Sequence, residues 1–167
     1  IEKIVLTTHE AAIRIISKTG PLHNPADRDH CLQYMVAVPL IFGHLSAADY
    51  EDEVAADPRI DALRAKIRCV EDPQFTADYH DPDKRSIANA LTVTFRDGTV
   101  MDEVRVDYPI GHRKRRAEGI PVLMDKCDAA LRAHLPLTQV DRLMVLAADP
   151  AVLAQLTISE FLELYQR

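Results

Sequence analysis

The chain has 167 residues, of which 47% are hydrophobic and 28% are charged, so it is long enough to bury a core of its own. Its net charge of −6 argues against a nucleic-acid partner, because such proteins usually present a broad basic face. No apolar run approaches the ~18 residues that a membrane-spanning helix needs, so no membrane partner is expected either.

Residues 3–7 alternate apolar and polar side chains and predict a half-buried strand. The run 9–18 fits a short helix, although its isoleucines also permit an extended segment. Asn24 followed by Pro25 predicts a helix start, because the asparagine side chain can accept free N–H groups and proline has no N–H to leave unpaired. This deeply buried helix is expected to continue to about Phe42.

The same helix-start signal recurs three times, at Asp57-Pro58, Asp81-Pro82 and Asp149-Pro150. Ser46 and Asp49 have the spacing of a capping box, which predicts a further short helix. Residues 71–84 are rich in Asp and Pro and have no periodicity, so a loop is predicted there.

Three more segments have the pattern of strands. Residues 67–70 fit a short one, and the runs 91–95 and 104–108 alternate clearly between apolar and polar side chains. Asp97-Gly98 lies between the last two runs and supplies the positive φ that a tight hairpin turn needs. We therefore predict a hairpin.

From Pro121 onward the pattern is helical, and a capping box at Thr157–Glu160 predicts the last helix. The expected fold class is α+β. Residues 1–117 would form a lid-type domain, a small antiparallel sheet with covering helices. Residues 118–167 would form a C-terminal helical tail with more apolar face than short helices can hide against one another.

The run HRKRR at 112–116 is the strongest local charge feature. Because fixed cations repel one another and precede a helix N-terminus that prefers negative charge, a bound anion would relieve both penalties. His112 and Arg113 are therefore candidate substrate-binding residues. The alternative is a solvated basic loop eased by Glu118, which is the usual fate of charge runs.

A second polar cluster, residues 23–30, surrounds the predicted start of the buried helix. Capping that helix is its default role, and closing over a substrate is the alternative. Lys18 lies near the cluster and could reach a carboxylate, so it is the third candidate for substrate binding. The histidines have no metal-binding spacing, and neither a metal site nor a cofactor is expected.

The three cysteines, Cys31, Cys69 and Cys127, are far apart and form no C-x-x-C pair. Free thiols in a reducing cytoplasm fit this pattern. Cys31 and Cys127 stand at apolar helical spacings, so they are predicted to be buried as small hydrophobic side chains.

Three strings, KTGPLHNPADRDHCLQYMVAVPLIFGHL, LSAADYEDEVAADPRIDALRAKIRCVEDPQFTADYHDPDKRSIANA and VDYPIGHRKRRAEGIP, resemble the corresponding segments of the MmgE/PrpD family. The resemblance covers nearly the whole chain. It implies a hydro-lyase that eliminates water from 2-methylcitrate to give 2-methyl-cis-aconitate in the methylcitrate cycle of propionate catabolism, with hydration of cis-aconitate as a further activity. It also implies a cofactor-free cytoplasmic homodimer that binds a small tricarboxylate.

The chain opens directly in a strand at Ile1, so we expect it to be the C-terminal part of a longer protein. Family members carry a large helical domain before this point, and their acid–base residues lie mainly there. The resemblance therefore gives no catalytic residue in this chain, and the piece alone is expected to be inactive. Its helical tail is expected to pack on the helical domain.

Two other interpretations remain open. One is a non-catalytic binding or assembly module with the same fold. The other is a different MmgE/PrpD enzyme, either a dicarboxylate epimerase or a cis-aconitate decarboxylase. The decarboxylase branch has a tyrosine near position 16–18, where this sequence has none.

Overall fold

The computed structural model describes residues 1–166. These residues form two compact units, 1–109 and the part of the chain from 110 onward. The α+β fold class is confirmed: the first unit contains the sheet, and the second is helical. The roles of lid and docking tail assigned to the two parts of the chain stay predictions.

The first unit contains four strands and six helices. In chain order they are β1 (Lys3–Thr8), α1 (Glu10–Ile16), α2 (Pro25–Arg28), α3 (Leu32–Phe42), α4 (Asp52–Ala55), α5 (Pro58–Arg64), β2 (Ile67–Glu71), α6 (Pro73–His80), β3 (Asn89–Thr94) and β4 (Val104–Val106). A 3-10 turn over Ala47–Tyr50 precedes α4, at the predicted capping box.

The sheet has the strand order β2-β1-β3-β4. It is mixed and not wholly antiparallel as predicted, because β1 and β2 run parallel, with Ile4 opposite Ile67. The five helices between these two strands form the long crossover that a parallel pair requires. The hairpin of β3 and β4 is confirmed, with Gly98 at φ 87° in its turn.

The core of the first unit lies where α3 packs against α5 and β2. Its buried members are Ile4, Leu6, Ala12, Cys31, Leu32, Tyr34, Ala37, Val38, Ile60, Ile67 and Val93. The one hydroxyl among them is satisfied, because Tyr34 donates to the Asp49 carbonyl at 2.6 Å.

The predicted long helix from Pro25 to Phe42 is two helices, α2 and α3. The chain turns between them, and Cys31 is extended, with φ −131° and ψ 107°. No Gly or Pro marks this break. Contacts with distant parts of the chain override the local preference: Arg28 donates to the Tyr50 carbonyl at 2.6 Å.

Two predictions around α6 were wrong. Residues 71–84 are not a loop throughout, because Asp72 caps a helix and accepts the Gln74 N–H at 2.7 Å. Asp81 ends this helix instead of starting another, and its carboxylate accepts the Asp83 N–H at 2.8 Å. An aspartate before proline can form either a helix cap or a local turn, so the pair alone is ambiguous.

The second unit begins with a 3-10 turn over Arg113–Arg115. Its helices are α7 (Arg116–Arg132), α8 (Leu137–Ala148), α9 (Pro150–Leu153) and α10 (Ile158–Glu163). The helix starts at Arg116, before Pro121, which lies inside α7. The capping box that opens α10 is confirmed, as is the helix start at Asp149.

The cysteines are free, as predicted, but their burial differs. Cys31 is buried, Cys69 is half-buried and Cys127 is exposed, so the predicted burial of Cys127 is wrong for this chain. Cys127 lies on α7, which packs against α8, but its side chain is on the exposed part of the helix surface. No helix in residues 1–166 is long and apolar enough to cross a membrane.

Candidate functional site

Lys18 lies in the segment that joins α1 to α2. Its backbone N–H donates to the Gln33 side-chain oxygen at 3.1 Å. Its ammonium lies 3.3 Å from a carboxylate oxygen of Asp27 and is about one-third exposed. The backbone of this candidate is thus fixed, while its charged end still reaches solvent.

Gln33 holds this segment from inside α3. The side chain is buried, donates to the Ser17 hydroxyl at 2.9 Å and accepts from Lys18. A buried amide costs free energy unless its groups are paired, and here both ends have partners. Sequence reasoning missed Gln33, although a polar residue in a wholly apolar helix could have indicated it.

Asp27 joins the polar cluster to Lys18. It accepts the His23 N–H at 3.1 Å, while its own N–H donates to the Asn24 side chain at 2.9 Å. The backbone hydrogen bond from His23, followed by the hydrogen bond from Lys18, lowers the pKa of the Asp27 carboxyl. The helix-capping role predicted for this cluster is confirmed at Asn24.

Two buried arginines lie close to this segment. Arg28 donates to the Tyr50 carbonyl and, at 2.7 Å, to Asp52. Arg64 is paired with Asp61, and its Nη2 donates to the Gly20 carbonyl at 3.0 Å. No sequence signal singled out either guanidinium as buried, because charged residues of this kind usually stay in water.

Arg64 and Asp61 line two clefts of the first unit. One cleft, of about 390 Å³, is bordered by Lys18 and the residues that follow it to Pro21. The other, of about 360 Å³, is bordered by His23 and Arg28. Small cavities lined by lysine and arginine suit carboxylates, which accept charge-assisted hydrogen bonds from both.

The other two candidates, His112 and Arg113, are adjacent in the second unit. His112 caps the 3-10 turn, and its Nδ1 accepts the Lys114 N–H at 3.1 Å. The positive charge of the HRKRR run is partly compensated, since the Arg115 guanidinium lies 2.7 Å from the Glu118 carboxylate. The hydrogen bond from Arg115 lowers the pKa of Glu118. The solvated-loop alternative thus gains support at Arg115.

The structure therefore distributes the three candidates over both units, with Lys18 in the first and the other two in the second. In residues 1–166, no group of three or more His, Cys, Asp and Glu side chains is placed to hold a metal ion. Lys18, Arg28 and Arg64 are each paired with an aspartate, and the binding of an anion by these cations stays a prediction.

The MmgE/PrpD C-terminal domain matches residues 1–149 of the chain. The chain is 61% identical over 165 residues to the 2-methylcitrate dehydratase of Escherichia coli (strain K12), which covers 99% of this chain and 34% of that protein. The enzyme of Salmonella typhimurium gives the same values. The mitochondrial 2-methylcitrate dehydratase of Yarrowia lipolytica is 57% identical over 99% of this chain and 31% of its own length. The chain thus spans about a third of these curated relatives, and it belongs to the MmgE/PrpD family.

Proposed function

We propose that this chain is the C-terminal part of a 2-methylcitrate dehydratase. The whole protein would eliminate water from 2-methylcitrate to give 2-methyl-cis-aconitate in propionate catabolism, and would also hydrate cis-aconitate. The single observation that carries this proposal is the 61% identity to dehydratases over 99% of the chain. A cytoplasmic homodimer without a cofactor is part of the proposal.

The proposed reaction needs a base that removes a C–H proton next to a carboxylate and an acid that protonates the departing hydroxyl. Cations must hold the substrate carboxylates while negative charge builds up at the carbon. In this chain Lys18, His112 and Arg113 are the proposed substrate-binding residues. The acid–base groups would come from the part of the protein outside the chain, so the chain alone should not turn over substrate.

The partner that we propose for the second unit is an N-terminal helical domain of the same protein. Two observations support this proposal. The chain spans only about a third of the length of its relatives, and the second unit exposes many apolar side chains. Examples are Ile120 at 53%, Leu123 at 54% and Val145 at 69% exposure. Covering such side chains would remove apolar surface from water and stabilise the joined protein.

The test compares the 167-residue chain with the complete protein encoded around it. Formation of the conjugated double bond of 2-methyl-cis-aconitate is followed by ultraviolet absorbance. We expect turnover from the complete protein only, with a higher KM in the Lys18→Ala and Arg113→Ala variants. Lys3→Ala is the matched control, because Lys3 is an exposed strand residue outside both clefts. A complete protein that only decarboxylates or epimerises its substrate contradicts the proposal.

A further inference from the structure

Arg64 is a buried charged residue of the first unit with an incompletely paired guanidinium group. It ends α5, is only 9% exposed and borders both clefts. A guanidinium is always charged near neutral pH and is rarely buried without several acceptors. Its surroundings must therefore supply acceptors for all of its N–H groups.

The acceptors around Arg64 do not satisfy the whole guanidinium. Nη1 is paired with Asp61, and Nη2 donates to the Gly20 carbonyl and lies 3.8 Å from Cys31 Sγ, a weak acceptor. The Nε–H is buried and has no hydrogen-bond partner among the described residues. A buried donor without an acceptor costs free energy, so the protein leaves this guanidinium incompletely satisfied.

The carboxylates that pair with Arg64 and Arg28 are largely exposed to solvent. The Asp61 side chain is 76% exposed, and Asp52, the partner of Arg28, is 84% exposed. Ion pairs with such exposed partners are screened by water and contribute little. The Arg28 and Arg64 side chains are only 7% and 8% exposed, so the arginine is the more enclosed member of each pair.

We propose that Arg64 and Arg28 form a binding site for a carboxylate group of a small polycarboxylate. The ligand carboxylate takes the place of Asp61 at Nη1 of Arg64, and Asp61 turns outward as the ligand enters. Lys18 borders the adjoining cleft that shares Arg64, so a second carboxylate of the same molecule can reach a lysine. The identity of the ligand as a tricarboxylate rests on the proposed function, while the site itself rests on the burial and pairing of Arg64.

The shape and size of the site suit a carboxylate. The planar guanidinium fork matches the two oxygens of a carboxylate. A cleft of about 360 Å³ lies at the small end of the ligand-site range, which suits a molecule of tricarboxylate size.

The experiment follows the arginine Nε–H resonances of the 167-residue chain by ¹⁵N NMR. The probe is tricarballylate, a tricarboxylate without a hydroxyl to eliminate, and its triamide is the uncharged control at matched ionic strength. We expect a saturable shift of the Arg64 signal with tricarballylate alone. Arg64→Lys should weaken binding about tenfold or more, because the fork is lost. Arg59→Lys should leave it unchanged, since Arg59 lies exposed on the same helix.

A second variant covers the case in which Arg64→Lys disturbs folding, as seen by circular dichroism. Asp61→Asn keeps Arg64 and removes the competing carboxylate, so binding should become tighter. An Arg64 signal that does not move, an equal response to sulfate, or unchanged or weaker binding by Asp61→Asn overturns the site. Arg64 binding without dehydratase turnover in the complete protein would refute the proposed function alone, and turnover with an unresponsive Arg64 would refute the site alone.

Discussion

The two units of the chain bury apolar side chains to very different degrees. In the described residues, every buried hydrophobic side chain except Val140 and Leu143 lies in the first unit. The sheet and α3 give that unit an interior with several layers, whereas the helices of the second leave large side chains such as Leu137 and Ile158 in water. Exposed apolar stripes on helices often mark surfaces that a partner covers. The contrast therefore supports the proposals that the first unit holds a ligand site and that the second packs against another part of the complete protein.

The largest expected effect tests this contrast directly. Ile60→Ala removes a side chain that is completely buried, and we expect it to lower the free energy of unfolding by about 2–5 kcal/mol. Leu123→Ala removes an exposed side chain of α7 and should change it by less than about 0.5 kcal/mol. Urea unfolding followed by circular dichroism measures both. An equal loss in the two variants would contradict the contrast, because it would mean that Leu123 is buried in a core of the second unit.

The second largest expected effect is a loss of stability in the second unit on the substitution Gly119→Ala. A Cβ at Gly119 would lie 2.2 Å from the Ile110 carbonyl oxygen, and a backbone atom cannot move aside as a flexible side chain can. Alanine stabilises a helix by about 1 kcal/mol relative to glycine. The steric clash should outweigh this gain, so we expect a net destabilisation of the unit by about 1–3 kcal/mol. Hydrogen exchange of the α7 amides measures this loss. Gly111→Ala is the control, because its Cβ meets nothing within 4 Å; faster exchange in that variant would discredit the steric explanation.

A smaller loss should follow from one hydrogen bond in the first unit. Tyr34→Phe leaves the ring in place but removes the hydroxyl that donates to the Asp49 carbonyl at 2.6 Å. We expect the free energy of unfolding to fall by about 1 kcal/mol, in urea titrations compared with the parent chain. Tyr165→Phe, at an exposed ring of the second unit, should change it by almost nothing. A neutral Tyr34→Phe would show that water replaces the tyrosine at the carbonyl.

In both units, helix starts and turns were predicted correctly where the conformation depends only on residues that are neighbours in the sequence. Asp57 before Pro58 starts a helix, Asp97-Gly98 makes the hairpin turn, and Thr157 caps α10. Each depends on hydrogen bonds or φ angles within a few residues, which the sequence displays directly. The break between α2 and α3 had no such marker and depends on residues far along the chain.

The site was predictable only in part for the same reason. Lys18 was proposed because it precedes a recognisable helix start, and HRKRR because charge runs are visible in a sequence; their roles stay predictions. Arg64 could not be found, because the Gly20 carbonyl that its Nη2 reaches lies 44 positions earlier in the chain. Its burial follows from the packing of α5 on α3, and packing between distant segments has no local pattern.

The smallest expected effect is a pH dependence of the first unit alone. His9 is buried, caps α1 by accepting the Ala12 N–H at 3.3 Å, and stacks on Tyr79 at a centroid distance of 4.2 Å. Burial lowers the pKa of His9, the nearby charge of His80 lowers it further, and Glu10 partly opposes both. The unfolded chain, with a histidine pKa of about 6.5, therefore binds a proton more readily than the folded one.

It follows that the stability of the first unit should fall as the pH drops below about 6.5 toward the lower pKa of folded His9. Protonation also removes the lone pair with which Nδ1 caps the helix. His9→Asn retains a capping side chain without a titrating group, so its unfolding free energy should depend less on pH over this window. A His9→Asn slope equal to that of the parent chain would assign the pH dependence to groups other than His9.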